Sequence, residues 1–188
     1  PPLEQKYDVR RGKIRIRVFM KKNTEIVNRV DAAGLITIDI ADLIVVGPRK
    51  KIDLSDWLDE GLIIREASFK KRLGEYNWQE YSNCYVAIDC SKDVIIPPWT
   101  YPLIQMKLRN IAKQVFFTNL ETMEIVLFQQ KLNTLNFKQY VKKRVFLKVC
   151  NNENVPLGCL SLCIDAFAPH VKSLFYGEPC SSIPLIKN

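Results

Sequence analysis

The 188-residue chain is poor in glycine, with seven, and has a single histidine, His170. So little glycine, without a three-residue period, excludes collagen-like structure. No run approaches the ~18 consecutive apolar residues of a membrane-spanning helix, which excludes a helical span. No Gly-rich phosphate loop, Gly-x-Ser-x-Gly elbow or His-Glu-x-x-His pair occurs, so the common nucleotide-binding, serine-hydrolase and zinc-protease signatures are missing. None of the six cysteines forms Cys-x-x-Cys. No apolar secretory region follows the early positive charges, so a disulfide scaffold is not expected and reduced thiols in a cytoplasmic protein are. What remains is ordinary globular composition, 47% hydrophobic and 26% charged.

The net charge of +8 is unevenly placed. Residues 1–22 hold eight basic side chains against Glu4 and Asp8, a net +6, which leaves +2 for the other 166 residues. We read residues 1–22 as a basic N-terminal extension, either disordered or with residues 1–19 translated upstream of a start at Met20; the alternative is a genuine basic arm that binds phosphate or a membrane surface. The body, 23–188, is expected to be a single α/β domain. Its near-neutral balance makes nucleic acid an unlikely partner.

Apolar patterning gives the elements. Asn23 or Thr24 starts a helix that Gly34 ends. Leu35–Ile40 is a strand, Gly47–Lys51 a turn, and Ser55 caps a short helix through Trp57 and Leu58. A helix then runs through Phe69 and Leu73. Residues 84–89 form a strand, Pro97-Pro98 opens a helix, and residues 115–117 form a second strand. Thr118 and Glu121 make a capping box for a helix over 120–132. Residues 144–149 are a strand, Pro156 opens a helix, and residues 174–176 are a strand.

An internal match appears at an offset of 59 residues. Asn77, Tyr81, Val86, Pro97, Lys113 and Phe116 recur as Asn136, Tyr140, Val145, Pro156, Lys172 and Phe175. This predicts two strand–helix–strand repeats, about 77–122 and 136–181, in a three-layer Rossmann-like α/β fold with one mostly parallel sheet. A symmetric sheet would run 115–117, 84–89, 144–149, 174–176. Its switch point would lie between the two central strands, where open α/β sheets bind ligands.

Cys90 and Cys150 each follow one of those central strands, and Cys180 follows the last strand in Gly177-Glu178-Pro179-Cys180. Neighbouring strands lie about 4.8 Å apart, so the three thiols are expected to converge on one edge. With Glu178, Asp93 or water they suit zinc or an iron–sulfur cluster. Cys84 begins a strand on the opposite edge, Cys159 and Cys163, spaced i, i+4 on a helix, are expected in the core, and His170 at a surface or boundary. Trp57, Trp78 and Trp99 read as packing residues.

The segments Glu25–Val30, Asp56-Trp57-Leu58, Cys90-Ser91 with Val94–Pro97 and Trp99, and Val171–Ser173 with Gly177–Ser181 carry a resemblance to the bacterial domain-of-unknown-function 2480 family over about residues 24–188. Members of that family are encoded beside Suf-type iron–sulfur assembly proteins, and the resemblance implies partners of that kind. Three functions are carried forward. One is an accessory factor in iron–sulfur or metal handling, with Cys90, Cys150, Cys180 and Glu178 as ligands. The second is an enzyme with a cysteine nucleophile or an anionic substrate at the same edge. The third is an interaction module with inert cysteines.

Overall fold

The computed structural model describes residues 34–149 and 155–187. The basic extension of residues 1–22, the helix expected from Asn23 or Thr24, and Cys150 lie outside them. The described chain is mixed α/β, with four α-helices and two mostly parallel sheets. In chain order the elements are β1 (Leu35–Asp39), β2 (Arg49–Asp53), α1 (Glu66–Glu75), β3 (Tyr85–Asp89) and α2 (Thr100–Leu108). They continue with β4 (Gln114–Phe116), α3 (Leu120–Leu132), β5 (Arg144–Lys148), α4 (Leu157–Phe167), β6 (Ser173–Glu178) and β7 (Ser181–Lys187).

The expected single sheet is corrected by the topology. Strands β2-β3-β4 form one parallel sheet, and β1-β5-β6-β7 form another, in which β7 alone runs antiparallel. The two central strands, β3 and β5, are therefore not neighbours. The first strand of the chain pairs with β5, Leu35 opposite Arg144. The whole β2–β4 segment is thus inserted between β1 and the rest of its sheet.

Two strands escape the sequence pattern. Arg49–Asp53, whose first three residues are expected in the turn of Gly47–Lys51, is β2. It is an edge strand with a single fully buried side chain, Ile52, so no apolar alternation marks it. Its first cation is accommodated by pairing: Arg49 makes a two-pronged salt bridge with Glu124 of α3, with bonds of 2.6 and 2.8 Å. Ser181–Lys187, beyond the last strand expected, is β7, where Pro184 is tolerated on the sheet edge. The β6–β7 hairpin needs Gly177, whose φ is +105°; an added Cβ would lie 2.6 Å from the Ser181 carbonyl oxygen.

Two cores result. Ile52, Val86 and Ile88 pack under α1 and α2 with Trp57, Phe69, Trp78, Ile104 and Leu108. Val145, Leu147 and Leu174 pack under α4 with Ile40, Cys159, Cys163 and Phe167. Helix α3 joins them. Its Met123 and Leu127 lie against Tyr85 and Ala87 on the other face of the smaller sheet. Its Phe128 and Leu132 belong to the second core. The cap of α3 is Asn119, which accepts from the Thr122 N–H at 2.8 Å, not Thr118. Gly158 lets α4 approach α3 closely, since a Cβ there would meet Ile125 Cδ1 at 2.8 Å.

Local geometry recurs at the 59-residue offset. Tyr85 pairs with Gln114 and Arg144 with Ser173 at equivalent positions. Asn77 and Asn136 each cap a 3-10 helix, and Asn83 and Lys142 both adopt left-handed backbone, φ +56° and +59°. The Asn83 N–H bonds the Ile111 carbonyl, and the Lys142 N–H bonds the His170 carbonyl.

Candidate functional site

The carboxyl ends of β2 and β3 bring together what the separate segments do not advertise. Asp53 and Asp89, the last residues of the two strands, are register partners. Asp53 Oδ1 accepts from the N–H of Ser55, where it caps a 3-10 helix, and from the N–H of Ser91, both at 3.0 Å. Its other oxygen takes the Lys51 ammonium at 2.9 Å. Ser55 and Ser91 hydroxyls lie 3.1 Å apart. Asp53 thus ties the residue after Cys90 to the neighbouring strand, and the Cys90 N–H itself donates to Asp89 Oδ1 at 2.8 Å.

Partial burial alone would raise the Asp53 pKa. Hydrogen bonds from Lys51, Ser91 and Ser55 outweigh it and hold the carboxyl well below the usual carboxylate range. The ammonium of Lys51 is stabilised chiefly by its bond to Asp53, and Asp89 and Cys90 add attraction. Tyr101 closes one side. Burial, then the nearby Asp89 and Cys90, push its hydroxyl pKa up, and its ring contacts Phe117 at 5.2 Å between centroids.

A depressed folded-state pKa has a definite sign. The stability that Asp53 contributes is fully present above its unfolded pKa of about 3.9 and is lost as the pH falls below that value. Asp53→Ala is expected to cost about 1–2 kcal/mol at neutral pH. That gap from wild type should narrow in urea titrations as the pH is lowered from 5 to about 3. An unchanged gap at low pH would contradict the bonding described.

The other sheet differs at the corresponding edge. There Asp39 faces Lys148 in register, and the Lys148 ammonium lies 3.7 Å from Asp39 and 3.8 Å from Glu178. Each edge thus pairs a lysine with carboxylates, but Lys51 lies on the same strand as Asp53, whereas Lys148 stands across from Asp39 at the position equivalent to Asp89.

The cysteines sort by exposure. Cys159 and Cys163 are buried, as their helical spacing implied, and Cys84, just before β3, is buried too. Burial pushes the Cys159 thiol up to about 11, helped by Glu124, and the Cys163 thiol up to about 12, helped by Cys159. Cys90 is half-buried, and Cys180 is exposed at the tip of the β6–β7 hairpin, its sulfur 3.9 Å from Glu178 Oε2. The adjacency expected of Cys90 and Cys150 rested on neighbouring strands, and β3 and β5 belong to different sheets. Among the described residues, no group of three His, Cys, Asp or Glu stands ready to hold a metal ion. His170 is exposed and stacks on Phe137 at 5.1 Å, at the amino edge of the larger sheet.

Asp53 and Lys51 escaped the sequence reading because their strand was read as a turn. The available signal was the Asp ending two successive strands, Asp53 and Asp89, each followed within two residues by serine.

A family described as a protein of unknown function, DUF2480, matches residues 24–188, and the chain belongs to it. Neither a curated protein nor a solved structure matches the chain. Among the described residues no helix is long and apolar enough to cross a membrane.

Proposed function

We propose that this family member is a cytoplasmic accessory factor that carries a soft-metal or iron–sulfur cargo, with Cys90 as the thiol that first receives it. One observation carries the reading. Of the five cysteines described, the two that solvent reaches, Cys90 and Cys180, are those that follow strands in the sequence; the Cys90 backbone N–H bonds the Asp89 carboxylate, and the Cys180 sulfur lies 3.9 Å from that of Glu178. A thiolate with an adjacent carboxylate suits zinc or ferrous iron as cargo. Two accessible thiols in different sheets suit transfer better than a closed structural site, which takes four ligands. Cys150, which follows β5, completes the proposed donor set. The family's encoding beside Suf-type assembly proteins supports iron–sulfur assembly partners.

The repeated geometry is part of this proposal. We read β3-α2-β4 and β5-α4-β6 as two Rossmann-like copies of one strand–helix–strand unit, whose carboxyl edges have diverged. Where one has Lys148 and Val149, the other has Asp89 and Cys90.

The cysteine-nucleophile reading is weaker. The chain's one histidine is stacked on Phe137 in the other sheet's unit, so Cys90 has no Cys–His pair to activate it.

Anaerobic incubation of the full chain with zinc, or with ferrous iron and sulfide, followed by desalting and metal analysis, tests the proposal. About one metal or cluster per chain is expected, displaced when Cys90 is first alkylated. No retained metal in either preparation, at any thiol alkylation state, overturns it.

A further inference from the structure

At the amino edge of the larger sheet, five cations stand together, and among the described residues no acidic side chain pairs with them. Lys142, Lys143 and Arg144 lead into β5, Lys172 leads into β6, and Lys138 lies in the preceding 3-10 helix. The backbone holds them close. The Lys172 N–H bonds the Lys143 carbonyl, and the Val141 N–H bonds that of Lys138. All five are exposed, and among the described residues none makes an ion pair.

The smaller sheet shows that the fold does not need this charge. At the same offset its backbone makes the same turn with Gln79, Asn83, Cys84 and Tyr85, and only Lys113 keeps a cation. That cation sits over the Tyr85 ring at 4.8 Å. The left-handed position sharpens the contrast. Asparagine tolerates φ near +56°, whereas Lys142 holds +59° with a long side chain that gains nothing locally. Lysine there is unfavourable for the backbone, and five like charges repel one another. A partner of opposite charge accounts for both.

We propose that this edge docks an acidic protein partner through its carboxylates. The patch spans two neighbouring strand starts, which is narrow for a membrane surface. Its nearest rings, Phe137 and Tyr140, are packed against Phe167 at 5.2 and 5.0 Å, and the exposed His170 is stacked on Phe137 at 5.1 Å, which leaves one imidazole and no row of open rings for successive stacked bases. Four of the five cations are lysines, point charges without the guanidinium fork that favours phosphate. Val141, 47% exposed in their midst, offers the apolar contact that a protein interface uses. This inference does not depend on the thiol reading.

The test uses the full chain and fluorescence anisotropy with a labelled polyglutamate peptide at about 100 mM salt, where only close charge pairs persist. Single-stranded polyuridine and phosphatidylserine vesicles serve as rival probes. Lys142→Asn combined with Lys143→Ser and Lys172→Ser should weaken polyglutamate binding by roughly tenfold or more. Replacing Arg10, Arg11, Lys21 and Lys22 with Gln should weaken it less. Lys142→Asn alone should melt at the wild-type temperature or about 2 °C above it. The proposal is overturned if the triple variant binds as wild type, if the N-terminal variant loses more, or if RNA or vesicles bind tenfold tighter than polyglutamate. A lowered melting temperature for Lys142→Asn overturns it as well, since the lysine would then serve the fold.

Discussion

Phe128→Ala lowers the unfolding free energy by about 3–5 kcal/mol, the range for emptying a buried aromatic site. The loss appears in a signal that originates in a different core. Phe128 is fully buried in the core of the larger sheet. All three tryptophans, Trp57, Trp78 and Trp99, lie in or against the core of the smaller sheet. On another face of α3, Met123 is fully buried and Leu127 almost so, both against the smaller sheet's opposite face. Arg49 and Glu124 bind the same helix to β2. Loosening α3 on one side therefore loosens it on the other. Tryptophan fluorescence and far-UV circular dichroism should shift together in urea. If circular dichroism moved while fluorescence stayed at the wild-type midpoint, the two cores would unfold independently, and α3 would not couple them.

Much of this arrangement is legible in the sequence, because local chemistry writes it. Strands β3, β4, β5 and β6 announce themselves as apolar runs, and Pro97 and Pro156 mark the approaches to α2 and α4. The burial of Cys159 and Cys163 follows from their i, i+4 spacing on a helix. Strand partnership is different, because it depends on contacts between segments far apart in the chain. Nothing local tells Leu35–Asp39 to pair with Arg144–Lys148 across the intervening β2–β4 segment. The strand of Arg49–Asp53 was hidden for a related reason. Its cations are tolerated only because Glu124, 75 residues on from Arg49, and Asp53 receive them. Cys90 was found from its place after a strand, but its surroundings, Asp53, Lys51 and Ser55, come from that hidden strand.

The second large effect is expected at Cys90. Cys90→Ser should lower the affinity for zinc by at least about tenfold, because serine keeps the volume but is a poor ligand for a soft metal. The fold should be indifferent. Cys90 is half-buried, its N–H bond to Asp89 is made by backbone, and the Asp53–Ser91 tie does not involve the thiol. Cys163→Ser is the converse control. It places a hydroxyl in a fully buried apolar site, so it should destabilise the protein while leaving the affinity of the folded fraction unchanged. Cys180→Ser should have an intermediate effect on zinc, since its exposed sulfur has only Glu178 beside it.

The most direct measurement is an anaerobic cobalt(II) titration of the full chain, followed by sulfur-to-cobalt charge-transfer absorption in the near ultraviolet. Cobalt takes the place of zinc, and the band arises only if a thiolate binds it. The account expects the band in wild type, saturating near one cobalt per chain, and its loss in Cys90→Ser with the melting temperature unchanged. A wild-type chain without the band, or a Cys90→Ser variant that keeps it, would contradict a metal-receiving role for Cys90.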